Sequence, residues 1–139
     1  MPADEPRIVE RFVDALLSRD WVRLRATLTP DVRREGFDGP ERDAVVGREP
    51  YLQWASELID PLAVYAWAVH RLEYSETGTS AFLEATSTYR VHAADEPFGY
   101  HMAVIFDLTA DGLISQVSLY WKTPDQRLPR GTIAEAAVS

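Results

Sequence analysis

Apolar positions change their period once along the chain. Up to Ile59 they recur at helical spacing. Ile8, Phe12, Ala15 and Leu16 form one stripe, widened by Val9, Val13 and Leu17. Asp4 and Glu5 suit the start of this helix, Pro6 fits its first turn, and the pattern ends near Arg19. Asp20 is placed to cap a second, shorter helix over residues 21–28, which Thr29-Pro30-Asp31 breaks. Residues 32–37 read as a short strand, followed by a polar loop over 38–46. A third helix runs from Arg48-Glu49-Pro50 to about Ile59. Tyr51, Leu52, Ala55 and Leu58 share one face, Trp54 stands beside it, and Pro61 lies just past its end.

From Val64 onward the period is that of strands. Four consecutive strands are predicted over residues 64–74, 79–92, 98–108 and 113–122. The connections Glu76-Thr77-Gly78, Ala94-Asp95-Glu96-Pro97 and Asp111-Gly112 are short, which favours antiparallel neighbours. Asp-Gly is a strong turn signal because glycine takes positive φ without strain. Helices first and a four-strand meander afterwards predict an α+β fold, with three helices covering one face of a curved antiparallel sheet.

Alternation along each strand then assigns faces. Ser115, Val117, Leu119 and Trp121 are expected to face the helices, as are Tyr100, Met102, Val104, Phe106 and Leu108. So are Leu83, Ala85, Ser87, Tyr89 and Val91, and on the first of the four strands Val64, Ala66, Ala68, His70 and Leu72. The small side chains Ala66, Ala68, Ala85 and Ser87 on that face leave room for a ligand pocket. Tyr65, Trp67, Val69, Phe82, Ile105 and Tyr120 fall on the outer face. So apolar a face predicts a covering surface, most simply a homodimer packed sheet to sheet.

Composition narrows the functions. With 139 residues and 46% apolar content, the chain is expected to be one globular domain over 1–139, its core spanning about 7–124. A net charge of −8 disfavours nucleic acid and anionic membranes as partners. The absence of cysteine excludes disulfides, thiolate chemistry and Cys-based zinc sites. Three histidines without tight spacing predict no metal site. Without a phosphate-cradling glycine loop or a Gly-x-Ser-x-Gly elbow, no cofactor and no hydrolase triad are expected. The N-terminus lacks an apolar signal region, and no apolar run approaches the roughly 20 residues that span a bilayer. The expected compartment is the cytoplasm.

Several segments resemble the nuclear transport factor 2-like superfamily. They are Ile8-Val9-Glu10-Arg11-Phe12-Val13-Asp14-Ala15-Leu16 with Asp20-Trp21, then Gly47-Arg48-Glu49-Pro50-Tyr51, then Asp111-Gly112-Leu113-Ile114 with Tyr120-Trp121. Their order and spacing extend the resemblance from about Arg7 to Pro124. It implies a cone-shaped α+β barrel with a deep apolar pocket, often dimeric. The superfamily includes ketosteroid isomerases, limonene epoxide hydrolases, SnoaL-like polyketide cyclases, dehydratases and non-catalytic members, so fold does not choose the reaction. Where ketosteroid isomerases carry a tyrosine and two aspartates, this chain has Phe12, Gly36 and Val104, with Asp38 close to the second position. Where limonene epoxide hydrolases carry their polar network, it has Arg34, Gly36, Ala85, Ser87 and Leu119.

The remaining candidate chemistry lies in His70, Tyr89, Tyr100 and Asp38. Histidine is suited to moving protons near neutral pH, and a tyrosine can donate to a developing oxyanion. Phe12, Arg34, Tyr51, Trp54, Ser87, Met102, Val104, Val117, Leu119 and Trp121 are the expected substrate-binding residues. Two functions follow. One is a cofactor-free enzyme that isomerises, cyclises or dehydrates a small, largely apolar polyketide-, terpenoid- or steroid-like compound. The other is a non-catalytic ligand-binding or dimerisation module.

Overall fold

A computed structural model describes residues 7–36, 44–92 and 94–122, without the side chains of 98, 121 and 122. Helices α1 (Ile8–Leu17) and α2 (Trp21–Arg25) precede strand β1 (Leu28–Glu35). The short β2 (Val45–Val46) leads into helix α3 (Arg48–Ile59). Strands β3 (Val64–Tyr74), β4 (Ser80–Arg90), β5 (Phe98–Leu108) and β6 (Ile114–Lys122) complete the chain. One six-stranded sheet has the order β2-β1-β6-β5-β4-β3. The β3 to β6 meander is antiparallel throughout, as the short connections require. β1 joins it in parallel beside β6. This is the α+β layout that the sequence pattern predicts and the cone-like fold that the family resemblance implies.

Local chemistry explains the boundaries. The Asp20 carboxylate accepts from the Arg23 backbone N–H at 3.1 Å and so starts α2. That helix stops at Arg25 rather than near Leu28, because Leu28 and Thr29 are already buried in β1. Pro30 falls where the β1–β6 register shifts, between Leu28 and Arg33, a place where a residue without an N–H costs the ladder little. Arg19 has a φ of 60° at the turn between α1 and α2. Its guanidinium donates to the Asp60 and Leu62 carbonyls at 3.1 and 2.8 Å, tying that corner to the end of α3. Gly112 closes the β5–β6 turn with a φ of 79°, donating to the Thr109 carbonyl at 2.9 Å.

Two bulges set which residues face the helices. In β3 the register shifts between Val69 and Arg71, which leaves His70 as the extra residue. Beyond the bulge Leu72 and Tyr74 face inward, opposite Leu83 and Ala81. Before it Tyr65, Trp67 and Val69 lie on the inward face, opposite Tyr89, Ser87 and Ala85. A strict alternation counted back from Leu72 therefore misplaces the first half of the strand. Val64, Ala66, Ala68 and His70 are on the outer face, and Tyr65, Trp67 and Val69 are not. In β6 a shift beside Asp107 and Leu108 makes Ser115 the extra residue. Ile114 becomes fully buried, while the Ser115 hydroxyl turns to the Asp107 carbonyl. Val91 lies past the end of β4 and is exposed.

The core between helices and sheet includes Val9, Phe12, Leu24, Leu28, Val32, Leu83, Val104, Phe106 and Ile114. Phe12 meets Phe106 edge-on with centroids 5.3 Å apart. The outer face carries Ala66, Ala68, Phe82, Ile105 and Tyr120 among His70, Thr86, Glu84 and His101, so it is more polar than alternation alone predicts. Among the described residues no helix is long and apolar enough to cross a membrane.

Candidate functional site

The inward residues divide between two ends of the sheet. At one end a wide groove of about 660 Å³ opens between Val13 and Leu17 of α1 and Val69, Leu72 and Leu83 of the sheet. At the other a pocket of about 60 Å³ lies between α3, β1 and the meander. Phe12, Met102, Val104, Val117 and Leu119 give it aliphatic and aromatic walls. Tyr51 and Trp54 of α3, Tyr65 and Trp67 of β3 and Tyr89 of β4 add a set of rings. Leu58, 47% exposed, also lines it, so the pocket reaches the surface there.

The rings are mutually packed. Tyr51 stacks on Trp54 with centroids 5.9 Å apart. Tyr65 lies 6.3 Å from Trp67 and 5.1 Å from Tyr89, and Tyr89 meets Tyr100 edge-on at 5.5 Å. Such contacts hold large rings in fixed orientations at low entropic cost. The Arg34 guanidinium sits over the Trp54 ring, 4.3 Å from its centroid. Strand β1 brings it there by pairing Arg34 with Val117, which also lines the pocket.

A glycine allows β5 to run close against β4 beside these rings. Gly99 runs so close to β4 that a Cβ there would lie 2.0 Å from the Ser87 carbonyl oxygen. Ser87 is itself fully buried, its hydroxyl directed at the Tyr100 carbonyl at 3.5 Å.

Burial controls the protonation of the phenols. It pushes Tyr51 up to about 12, against the pull of the Arg34 charge. Tyr65 is raised further by its burial and then by the neighbouring Tyr89. Burial also raises Tyr89, opposed by hydrogen bonds from Ser87 and Tyr65 and by Arg34. All three phenols are therefore neutral near pH 7 and can donate. The buried Trp67 indole N–H lies near the Tyr65 hydroxyl and opposes the rise of its pKa, without reaching full hydrogen-bond geometry.

Sequence reasoning brought many of these residues to one place. Phe12, Arg34, Tyr51, Trp54, Met102, Val104, Val117 and Leu119 all line the pocket, as does Tyr89. Tyr100 packs behind Tyr89, and Ser87 is buried beneath the rings without lining the pocket. Asp38 and the Trp121 side chain lie outside the described residues. His70 requires correction. The β3 bulge turns it to the outer face, where its Nε2 is 2.7 Å from the Thr86 hydroxyl, which in turn is 3.1 Å from His101 Nδ1. Both histidines are exposed and on the far side of the sheet from the pocket. Tyr65 and Trp67 were missed for the same reason. Their aromatic-x-aromatic spacing, matched by Tyr89 across the hairpin, was the available signal. Among the described residues no group of three or more His, Asp or Glu could hold a metal ion.

The profile of the SnoaL-like domain matches residues 9–117, and the chain belongs to this family. Solved structures agree on the fold. A candidate ketosteroid isomerase from Kribbella flavida DSM 17836 is 26% identical, with a TM-score of 0.69 over 91% of this chain and 83% of that one. An LEH-like epoxide hydrolase of M. tuberculosis is 19% identical, with a TM-score of 0.71 over 84% of this chain and 77% of that one. A hypothetical protein with a ketosteroid isomerase-like fold from Catenulispora acidiphila DSM 44928, in complex with trimethylamine, is 18% identical. Its TM-score is 0.70 over 83% of this chain and 85% of that one. Comparison with curated proteins finds no match.

Proposed function

We propose that this protein binds a small, largely apolar molecule in the pocket at the open end of its cone. The observation that carries the reading is the convergence of Tyr51, Trp54, Tyr65, Trp67 and Tyr89 with Arg34 around one cavity that reaches solvent. A pocket of mostly apolar walls with a few fixed polar groups is the usual form of a small-molecule site. Membership in a family that includes cyclases, and likeness to isomerase and epoxide hydrolase folds, support the same reading.

The finer reading is cofactor-free isomerisation, cyclisation or dehydration. The phenols would supply hydrogen bonds to a developing oxyanion. Among the described residues that line the pocket there is no carboxylate or imidazole, and phenols with raised pKa values are poor general bases. At about 60 Å³ the cavity is also far below the roughly 300 Å³ at which drug-sized sites begin. A single ring fits the space better than a steroid or a fused polyketide. The Catenulispora neighbour holds an amine, and aromatic faces suit cations. In this chain Arg34 already occupies the Trp54 face, which disfavours a second cation.

The test is to titrate the protein with benzyl alcohol while following tryptophan emission. A saturable change that disappears in Val104→Trp, which fills the pocket, is expected. No saturable change in the native protein would refute the binding reading.

A further inference from the structure

The outer face of the sheet, opposite the pocket, carries a cluster that the binding reading does not use. His70 on β3 and His101 on β5 flank Thr86 on β4. His101 stands directly across from Thr86, and His70, the extra residue of the β3 bulge, shares their face. The Thr86 hydroxyl oxygen lies 2.7 Å from His70 Nε2 and 3.1 Å from His101 Nδ1. The two ring nitrogens are therefore no farther apart than the sum of these distances.

One hydroxyl serves two imidazoles by donating to one and accepting from the other. The ring that accepts already points a bare nitrogen at Thr86. The ring that donates needs only to shift its proton to its other nitrogen to point a second one there. Imidazole is the commonest side-chain metal ligand, and it binds through such a bare nitrogen. At metal–nitrogen distances of about 2.0–2.1 Å, one ion needs the two nitrogens roughly 3–4 Å apart. Both histidines are exposed, so their rings can close by that amount without disturbing the core.

We propose that His70 and His101 form a two-histidine site for a late first-row divalent metal ion, with Thr86 holding both rings toward it. Glu84, the next outward residue on β4, is engaged by Arg71 at 4.0 Å and is not counted among the ligands. Two imidazoles leave the remaining positions to water, so the site is open and exchangeable, unlike a closed structural centre. Its affinities should follow the usual order, Cu²⁺ above Ni²⁺ and Zn²⁺. The net charge of −8 favours the approach of a cation. Distance along the chain hides this pair, which only the β3–β4–β5 register brings together. The site is independent of the pocket, which opens on the other face.

Calorimetric titration of the full chain with Cu²⁺, and separately with Zn²⁺, in a non-coordinating buffer tests the proposal. Electron paramagnetic resonance of the Cu²⁺ form should show two imidazole nitrogens. The second imidazole acts within the same molecule, at high effective concentration, so His70→Ala and His101→Ala should each weaken Cu²⁺ binding roughly 100-fold. Thr86→Val should weaken it less, by about tenfold, as when a group that orients a metal-bound histidine is lost. His92→Ala, which removes the exposed third histidine beyond the end of β4, should change nothing. The histidine variants should melt with the native protein, so that a lost site is not a lost fold. Equal Cu²⁺ affinity in the native and His70→Ala proteins would overturn the proposal. So would equal losses in all three histidine variants, which mark independent single-histidine binding, or a resonance spectrum with one imidazole nitrogen.

Discussion

In the core behind α1 Leu83, Phe106 and Ile114 are fully buried, and Phe12 bears edge-on against Phe106. At the open end the same strands present Tyr65, Trp67, Tyr89 and Tyr100, none of them fully buried, with Arg34 and Trp54 completing the wall. The first region is packed by aliphatic and phenylalanine side chains. The other is built from rings that carry a hydroxyl or an N–H. Their polar atoms lean on one another, as the Trp67 N–H does on the Tyr65 hydroxyl. What stabilises the fold and what can recognise a ligand are thus separated along single strands.

Paired truncations should break this comparison most sharply. Phe106→Ala should cost about 3–5 kcal/mol, the price of an unrelaxed cavity in a dense core. Trp54→Ala, at a half-buried site, should cost about 2 kcal/mol while abolishing binding of benzyl alcohol. Urea unfolding and fluorescence titration measure the two effects, and similar stability losses at both positions would erase the distinction between the ends.

A smaller effect should appear at high pH. Tyr51 is raised from about 10 to about 12 by burial, so the folded state keeps its proton while the unfolded chain loses it. The stabilisation is fully present below about pH 10 and is lost as pH rises toward 12. Tyr65 and Tyr89 act in the same direction. Tyr51→Phe should therefore flatten the fall in stability above pH 10, by about 3 kcal/mol at most. An unchanged slope would mean that Tyr51 ionises normally. The smallest effect is expected at His70. His70→Gln should leave ligand affinity unchanged and alter stability by less than about 0.5 kcal/mol, because the side chain is exposed on the opposite face. A clear loss of affinity would contradict the placement of the pocket.

The sequence by itself determined the order of elements and most of the core. Helical period gave α1 and α3, period-2 alternation gave the meander, and Asp111-Gly112 gave its last turn, because these signals act over a few neighbouring residues. It also indicated the aliphatic floor of the pocket through Met102, Val104, Val117 and Leu119. Only the tertiary structure decided which half of β3 faces inward. The bulge at His70 depends on how β3 pairs with β4, and one extra residue exchanges the two faces of a strand. That exchange removed a histidine from the site and put Tyr65 and Trp67 in it. The parallel docking of β1 beside β6 then carried Arg34 over Trp54, a contact between residues that no local pattern links.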